Sequence, residues 1–494
     1  MELKNLLDEF EANEKTKAAL GHAMGVLYYD GNTVAPKKSD AVRGETVGEL
    51  SRMMYELTSG PEAVARLKQL IAVKDSLDAV TRRRVELLER EFEEISCIPV
   101  DEYIEFVKLK TRAMNVWKEA KEKNDYALFE PYLKKLFATE RRFALLRRPD
   151  SDPYETLLNG FERGLTVKTC DNFFACLKER LVPLAAKAAE KSRSTDDYAI
   201  TCEYPVALQR EFSDYLMDVI GLDRDRCVIG ETEHPFTTGF TKNDVRITTH
   251  YYENMPAASM YSVVHEGGHA LYELGIADEL TGTNAGSGVS MAIHESQSRF
   301  YENIIGRSQA FCELIFPWMK EKFAPRLDGE TPLSFWKMVT KVEPSLKRTE
   351  ADEVTYCLHI MVRYELEKRL IAGELDTKDL PAEWNRLYKE YLGIDVPSDS
   401  EGVLQDMHWA DAYIGYFPSY AIGSAYGAQY LREMMKEFDV WECVRSGNIA
   451  KINSWLENKI WRFGKMRDPG ELFESICGPL DPTVFTDYLE KKYC

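Results

Sequence analysis

Between Val263 and Tyr272 the chain reads Val-Val-His-Glu-Gly-Gly-His-Ala-Leu-Tyr, with His265 and His269 four residues apart. On a helix both imidazoles leave one face a turn apart, close enough to share one metal ion. Glu266 follows the first of them. Metal-assisted hydrolysis needs this set: two neutral nitrogen ligands, an open coordination position and a base that takes a proton from water. The two glycines inside the same turn, Gly267 and Gly268, each cost a helix roughly 1 kcal/mol relative to Ala. Such a cost makes sense where another backbone, or a substrate, approaches the turn closely, so the fold must bring something against this helix. The motif by itself arises by chance about once per 80 chains of this length, and its neighbours have to decide.

Around it the chain is helical. Tyr103, Val107, Met114 and Trp117 fall on one predicted helical face, and Ile452, Trp455, Leu456 and Ile460 on another. Pro or Gly interrupts the pattern at residues 31–38, 59–61, 98–99 and 148–150. Asp244 to Thr249 alternates polar and β-branched residues, a strand signal, and an edge there could take an extended peptide by strand addition. Pro256 suits the first turn of the metal helix and Gly275 its end. A mainly α fold with a small antiparallel sheet near the metal site is expected. The length of 494 residues permits one large unit or several domains. The polar stretch Lys191–Asp197 suggests a division of one continuous unit (1–494) into a helical wall, 1–195, and a metal-bearing region, 196–494. His22, the only histidine before position 234, reads as structural, and the pair Tyr28-Tyr29 as helix-end aromatics that could also line a cleft.

The net charge of −19 argues against a broad phosphate-facing surface for nucleic acid. No secretory signal and no bilayer-spanning apolar run are found. Ten cysteines are scattered without a CxxC pair, which speaks against a disulfide framework or a structural zinc site and for a reducing cytoplasm.

A catalytic site of this kind needs a third protein ligand and leaves a position to water. Past Gly286-Ser287-Gly288 a second helical pattern runs from Val289 to Ile305 and carries His294-Glu295-Ser296-Gln297-Ser298. Glu295 follows His269 after room for a loop and a return helix, and is the candidate third ligand. His294 points to the side of Glu295 and is a candidate to hold a ligand in place, or a structural residue.

Several blocks then occur in order: His234-Pro235-Phe236; Asp244-x-Arg246-x-Thr248; His265-Glu266-x-x-His269; His294-Glu295-Ser296; Arg348-x-x-Ala351-Asp352-Glu353; and Gly402-x-x-Gln405-Asp406-x-His408-Trp409. Together they resemble metallocarboxypeptidase family M32, the thermostable carboxypeptidase Taq type, over essentially the whole length. Lys347 replaces an apolar residue usual before the arginine of its block, and Gly267 stands where Ala is frequent; neither removes a chemical group. The resemblance implies a nearly all-helical fold with a deep groove, a homodimer, and removal of C-terminal residues from peptides. It also implies His265, His269 and Glu295 as ligands of zinc, with cobalt a substitute, and Glu266 as general base.

Attack on a peptide carbonyl builds a negative oxygen that needs hydrogen-bond donors. His408, Tyr416 and Tyr420 are the candidates, the two tyrosines unranked. An exopeptidase must also grip a free carboxylate, for which the planar fork of Arg is suited. Arg348 is the first choice and Arg246 the second, each with an ion pair to a neighbour such as Asp352 or Asp244 as the alternative; His234 is a further substrate-binding candidate. Two other readings remain: an endo-acting zinc oligopeptidase, and a silent peptide-binding protein with a structural metal.

Overall fold

A computed structural model describes residues 3–494. The first helices, α1 (Leu3–Thr33), α2 (Asp40–Ser59), α3 (Pro61–Val73) and α4 (Ala79–Ser96), enclose a small core of their own formed by Leu6, Phe10, Leu67, Leu70, Leu77 and Val85. From Ile98 onward a single large core takes over. It is built first by α5 (Val100–Lys123), α6 (Tyr126–Arg147), α7 (Pro153–Phe161) and α8 (Val167–Ser192), then by α9 (Tyr198–Thr201) and α10 (Val206–Ile220). The polar stretch 191–197 is the turn after α8, and α8 itself is packed into the large core through Phe173, Leu177 and Leu181. Packing therefore divides near Ile98, where a Pro interrupts the helical pattern.

On α5 the buried residues are Phe106, Ala113, Trp117 and Ala120. Tyr103 and Val107 of the expected stripe face outward, 43% and 44% exposed. Trp117 alone of that stripe turned inward fully, because the indole also donates to the Leu404 carbonyl at 3.0 Å. The late stripe Ile452, Trp455, Leu456 and Ile460 is buried throughout.

Three strands follow: β1 (Cys227–Glu231), β2 (Thr237–Thr241) and β3 (Asp244–Thr249), in the order β1-β3-β2. The β2–β3 pair is the antiparallel hairpin expected, but β1 runs parallel to β3, so the sheet is mixed rather than antiparallel. The reason is the segment 232–236, which carries the chain across β3 to its far side before β2 begins. This leaves β2 as an edge strand.

Helix α11 (Pro256–Leu274) starts on Pro256 and stops before Gly275. It packs on the sheet, on α10 and on α12 (Met291–Arg299), which continues into a π-helical turn, Phe300–Gly306. A single extra residue per turn of this type is often found at functional sites. The remaining helices are α13 (Gln309–Lys322), α14 (Pro332–Val339), α15 (Glu353–Ala372), α16 (Leu380–Leu392), α17 (Phe417–Glu437), α18 (Val440–Arg445), α19 (Ile449–Lys459), α20 (Pro469–Cys477) and α21 (Pro482–Tyr493).

Two glycines explain how α12 sits so deep. A Cβ on Gly268 of α11 would lie 2.6 Å from the Gln297 carbonyl oxygen and 2.8 Å from the Ser298 Cα. A Cβ on Gly423 of α17 would lie 3.0 Å from the Ala292 carbonyl oxygen and from the Glu295 Cβ. Helix α12 is thus held backbone to backbone between α11 and α17. The backbone approach inferred for the metal helix is found at Gly268, whereas Gly267 faces the side chain of Ile220.

Candidate metal centre

The close crossing of α11 and α12 places His265, His269 and Glu295 together, each offering one ligand atom within 4.8 Å of the others. The Glu295 Oε2 lies 3.6 Å from His269 Nε2 and 3.9 Å from His265 Nε2. Both imidazoles are held from behind through Nδ1. His265 Nδ1 is 2.8 Å from Glu302 Oε2 in the π-turn. His269 Nδ1 is 2.6 Å from His294 Nδ1, and His294 Nε2 is 2.8 Å from Glu273 Oε1. Each carboxylate can only accept when ionised, so a proton must sit on His265 Nδ1, on His294 Nε2 and, through the relay, on His269 Nδ1. That leaves the two Nε2 lone pairs facing Glu295. These residues fit a divalent metal: the donor atoms converge, and the tautomers that metal binding requires are already imposed.

Glu295 is itself restrained, with Oε1 accepting from Arg299 Nε at 2.7 Å and Oε2 from the Ser298 hydroxyl at 3.1 Å. Arg299 also reaches Glu302 at 3.2 Å and lies 3.9 Å from the Tyr356 ring centre. Burial works against ionisation of Glu302, but the Arg299 charge and the His265 hydrogen bond outweigh it and hold the carboxyl far below the usual range.

Glu266 is buried beside the donors, and its Oε2 accepts from the Thr237 hydroxyl of β2 at 2.6 Å. Burial raises its carboxyl above the ordinary value, more than His265 and Thr237 lower it. Such a base holds its proton more readily than an exposed glutamate does.

Opposite stands the 408–420 segment. His408 Nε2 is 3.2 Å from the Tyr420 hydroxyl, and the His408 and Tyr416 rings stack at 5.7 Å. Burial pushes the His408 imidazolium down to about 4, beyond what Asp406 can offset, so the ring is neutral near pH 7. Burial also raises both tyrosines, so each keeps its phenolic proton. The loop itself hangs on Glu367 of α15, whose carboxylate accepts from the Trp409 indole at 2.7 Å, the Gly415 amide at 2.9 Å and the Tyr154 hydroxyl at 2.8 Å.

Arg348 is buried and its neighbour is Asp406, not Asp352. Its Nε and Nη2 donate to Asp406 Oδ1 at 3.2 and 3.0 Å and Nη1 to the Tyr356 hydroxyl at 3.2 Å, while the Tyr420 ring lies 5.0 Å away. Asp352 instead caps α15. Arg246 forms the ion pair with Asp244, two bonds of 2.9 Å, between the rings of Tyr29 and Phe240. That commits the fork of the second-choice arginine. His234 is exposed on the loop before β2 and makes no hydrogen bond among the described residues. Residues the spacing did not single out are Glu273, Glu302, Thr237, Asp406, Tyr356 and Arg299. The signal for Glu273 was there: it lies four residues past His269 on the same helix face.

A mostly helical chain with two imidazole nitrogens and a carboxylate converging beside a buried glutamate has the make-up of a metal-dependent hydrolase. The chain belongs to the Carboxypeptidase Taq (M32) metallopeptidase family, whose sequence profile matches residues 9–493. It is a metallocarboxypeptidase, a peptide hydrolase. It is 38% identical over 499 residues to Carboxypeptidase 1 of Bacillus subtilis, covering 100% of this chain and 99% of that one. With Thermostable carboxypeptidase 1 of Pyrococcus furiosus it shares 36% over 479 residues, 96% of each chain. The solved structure described as Pyrococcus furiosus carboxypeptidase Apo-Mg superposes with a TM-score of 0.95 at 35% identity, covering 99% of both chains. Among the described residues no helix is long and apolar enough to cross a membrane.

Proposed function

We propose that the protein is a zinc-dependent carboxypeptidase that releases single C-terminal residues from peptides with broad side-chain tolerance, and that Glu266 is its general base. The observation that carries this reading is the convergence of His265 Nε2, His269 Nε2 and Glu295 Oε2 beside a glutamate whose second oxygen is fixed by Thr237. His265, His269 and Glu295 would hold the zinc, which when bound would supply Lewis acidity for hydrolysis. Glu266 takes the proton of water as it attacks the scissile carbonyl and passes it to the leaving amine. His408 and Tyr420, neutral and protonated, donate to the carbonyl oxygen as it gains charge, with Tyr416 stacked behind His408.

Arg348 receives the terminal carboxylate in this reading. Of its five N–H groups, Asp406 and Tyr356 use three, which leaves one on each terminal nitrogen for a two-point grip. Asp406 keeps the guanidinium aimed: despite burial, Arg348 and Arg363 hold its carboxyl far below the usual range. The test is Arg348→Ala assayed on matched peptides with free and amidated C-termini. Hydrolysis of the free acid should fall by about a hundredfold or more, the scale of a lost charged hydrogen-bond pair, with the amide little changed; equal losses would refute the assignment, and rapid cutting of end-blocked peptides would favour an endopeptidase. We also take the protein to act as a homodimer in the cytoplasm, consistent with ten unpaired cysteines among the described residues; light scattering checks the mass.

A further inference from the structure

We propose that a second binding region, at the far end of the metal helix, takes the upstream residues of the peptide and selects for a positive charge there. His265, His269 and Glu273 lie at i, i+4 and i+8, so the face of α11 that carries the two ligands runs on one turn to Glu273. Beyond it opens a cavity of about 550 Å³, walled by α1, α4, the 281–287 loop and the edge strand β2. The same strand holds Glu266 through Thr237 at one point and lies against Glu273 through Gly239 at the next, so β2 runs along α11 from the candidate base to the edge of the cavity.

The polarity of that path follows from the contacts. Arg348 is linked through Tyr356 and Arg299 to Glu302, the partner of His265. Glu273 is linked through His294 to His269. The carboxylate anchor and the cavity therefore mark opposite ends of the donor set. A peptide whose terminus sits at Arg348, which rests on the reading above, leads its preceding residues toward Glu273.

The charges in the cavity are uneven. Lys17 is taken by Glu14 at 2.9 Å and Lys242 by Asp278 at 2.5 Å, while the His22 ring packs tilted against Phe240 at 5.2 Å. Glu273 uses only Oε1, for His294 and the Gly288 amide, and Glu91 makes no ion pair among the described residues. Lys465 lies within electrostatic reach of both without pairing to either. Two carboxylates with open acceptor sites thus face a space that a Lys or Arg side chain, or the free amino end of a short peptide, can fill.

The experiment uses the full-length zinc-loaded enzyme and peptides with a constant C-terminal pair, in which Lys, Gln or Glu is moved upstream one position at a time. Lys should exceed Glu in kcat/KM by roughly fivefold or more at one or two positions away from the cleaved bond, the size of a partly screened ion pair of about 1 kcal/mol. Glu91→Lys should abolish or invert the Lys-over-Glu ratio, and Kd values measured on the Glu266→Gln protein should move in parallel. Equal values for Lys, Gln and Glu at every position, or a Lys preference untouched by Glu91→Lys, would overturn the proposal. Failure of the anchor is separable, because an Arg348→Ala protein that loses free-acid and amidated hydrolysis equally, with the Lys preference intact, removes the anchor and leaves the cavity assignment standing.

Discussion

Two neighbouring glycines on one helix make a strong test of what holds the donors together. By helix propensity alone, Gly267→Ala and Gly268→Ala should each stabilise α11 by roughly 1 kcal/mol. The surroundings separate them. At Gly267 the new methyl meets the Ile220 Cδ1 at 2.3 Å, the far end of a side chain that can change rotamer. At Gly268 it meets backbone, 2.6 Å from the Gln297 carbonyl oxygen, which is about 0.8 Å closer than the 3.4 Å where ordinary contact begins. That backbone cannot yield independently, since α12 is seated on Gly423 on its other side. Overpacking of this kind costs about 1–3 kcal/mol, so after the propensity gain Gly268→Ala should end up to about 2 kcal/mol less stable. The larger effect is on the centre, because shifting α12 moves Glu295 away from the two imidazoles. Zinc affinity should fall about tenfold or more, as misplaced ligands do. Competitive chelator titration of both variants, with denaturant unfolding of the apo forms, reads both quantities. If Gly268→Ala binds zinc as tightly as Gly267→Ala and is equally stable, the backbone seat is not what positions the donors.

Other expected outcomes follow from the same contacts. Glu266→Gln should keep its full zinc content, measured by metal analysis, while turnover drops by orders of magnitude; loss of zinc would make the residue structural. His294→Ala removes the relay from Glu273 to His269 and should weaken zinc about 10–100-fold without unfolding the chain, read by the same titration. Glu140 of α6 is buried and burial pushes its carboxyl up from 4.5 to about 7. The folded state therefore keeps a proton that the unfolded chain releases, and the stability this contributes is full below about pH 4.5 and lost as pH rises through 7. Glu140→Gln should flatten that slope and raise stability at pH 8 by up to about 3 kcal/mol, checked by unfolding across the pH range; an unchanged slope would show that Glu140 is ionised in the folded protein.

Much of this architecture is legible in the chain because it rests on local rules. Spacing four puts His265 and His269 on one face, Pro256 opens the helix, and a helical return within reach offers Glu295. The supporting carboxylates were harder to see. Glu273 and Glu302 look like any charged residue on an amphipathic helix, and only the tertiary crossing turns them inward to the imidazoles. Glu302 depends further on the π-turn, whose extra residue changes which side chain faces α11 and has no propensity signature. The direction of β1 was hidden for a similar reason, since alternation identifies a strand but says nothing of its partner. Arg348 was found by residue type, whereas its partner Asp406 lies 58 positions on and is joined to it by packing alone.

The seating of α12 between Gly268 and Gly423 bears on how the enzyme acquires its metal. Donors seated by backbone contact and by hydrogen-bonded tautomers are arranged by the fold itself, so metal loading should require no folding step. Two imidazoles and a carboxylate form a donor set that suits several first-row cations, so metal replacement should give affinities that follow the general order for such ligands.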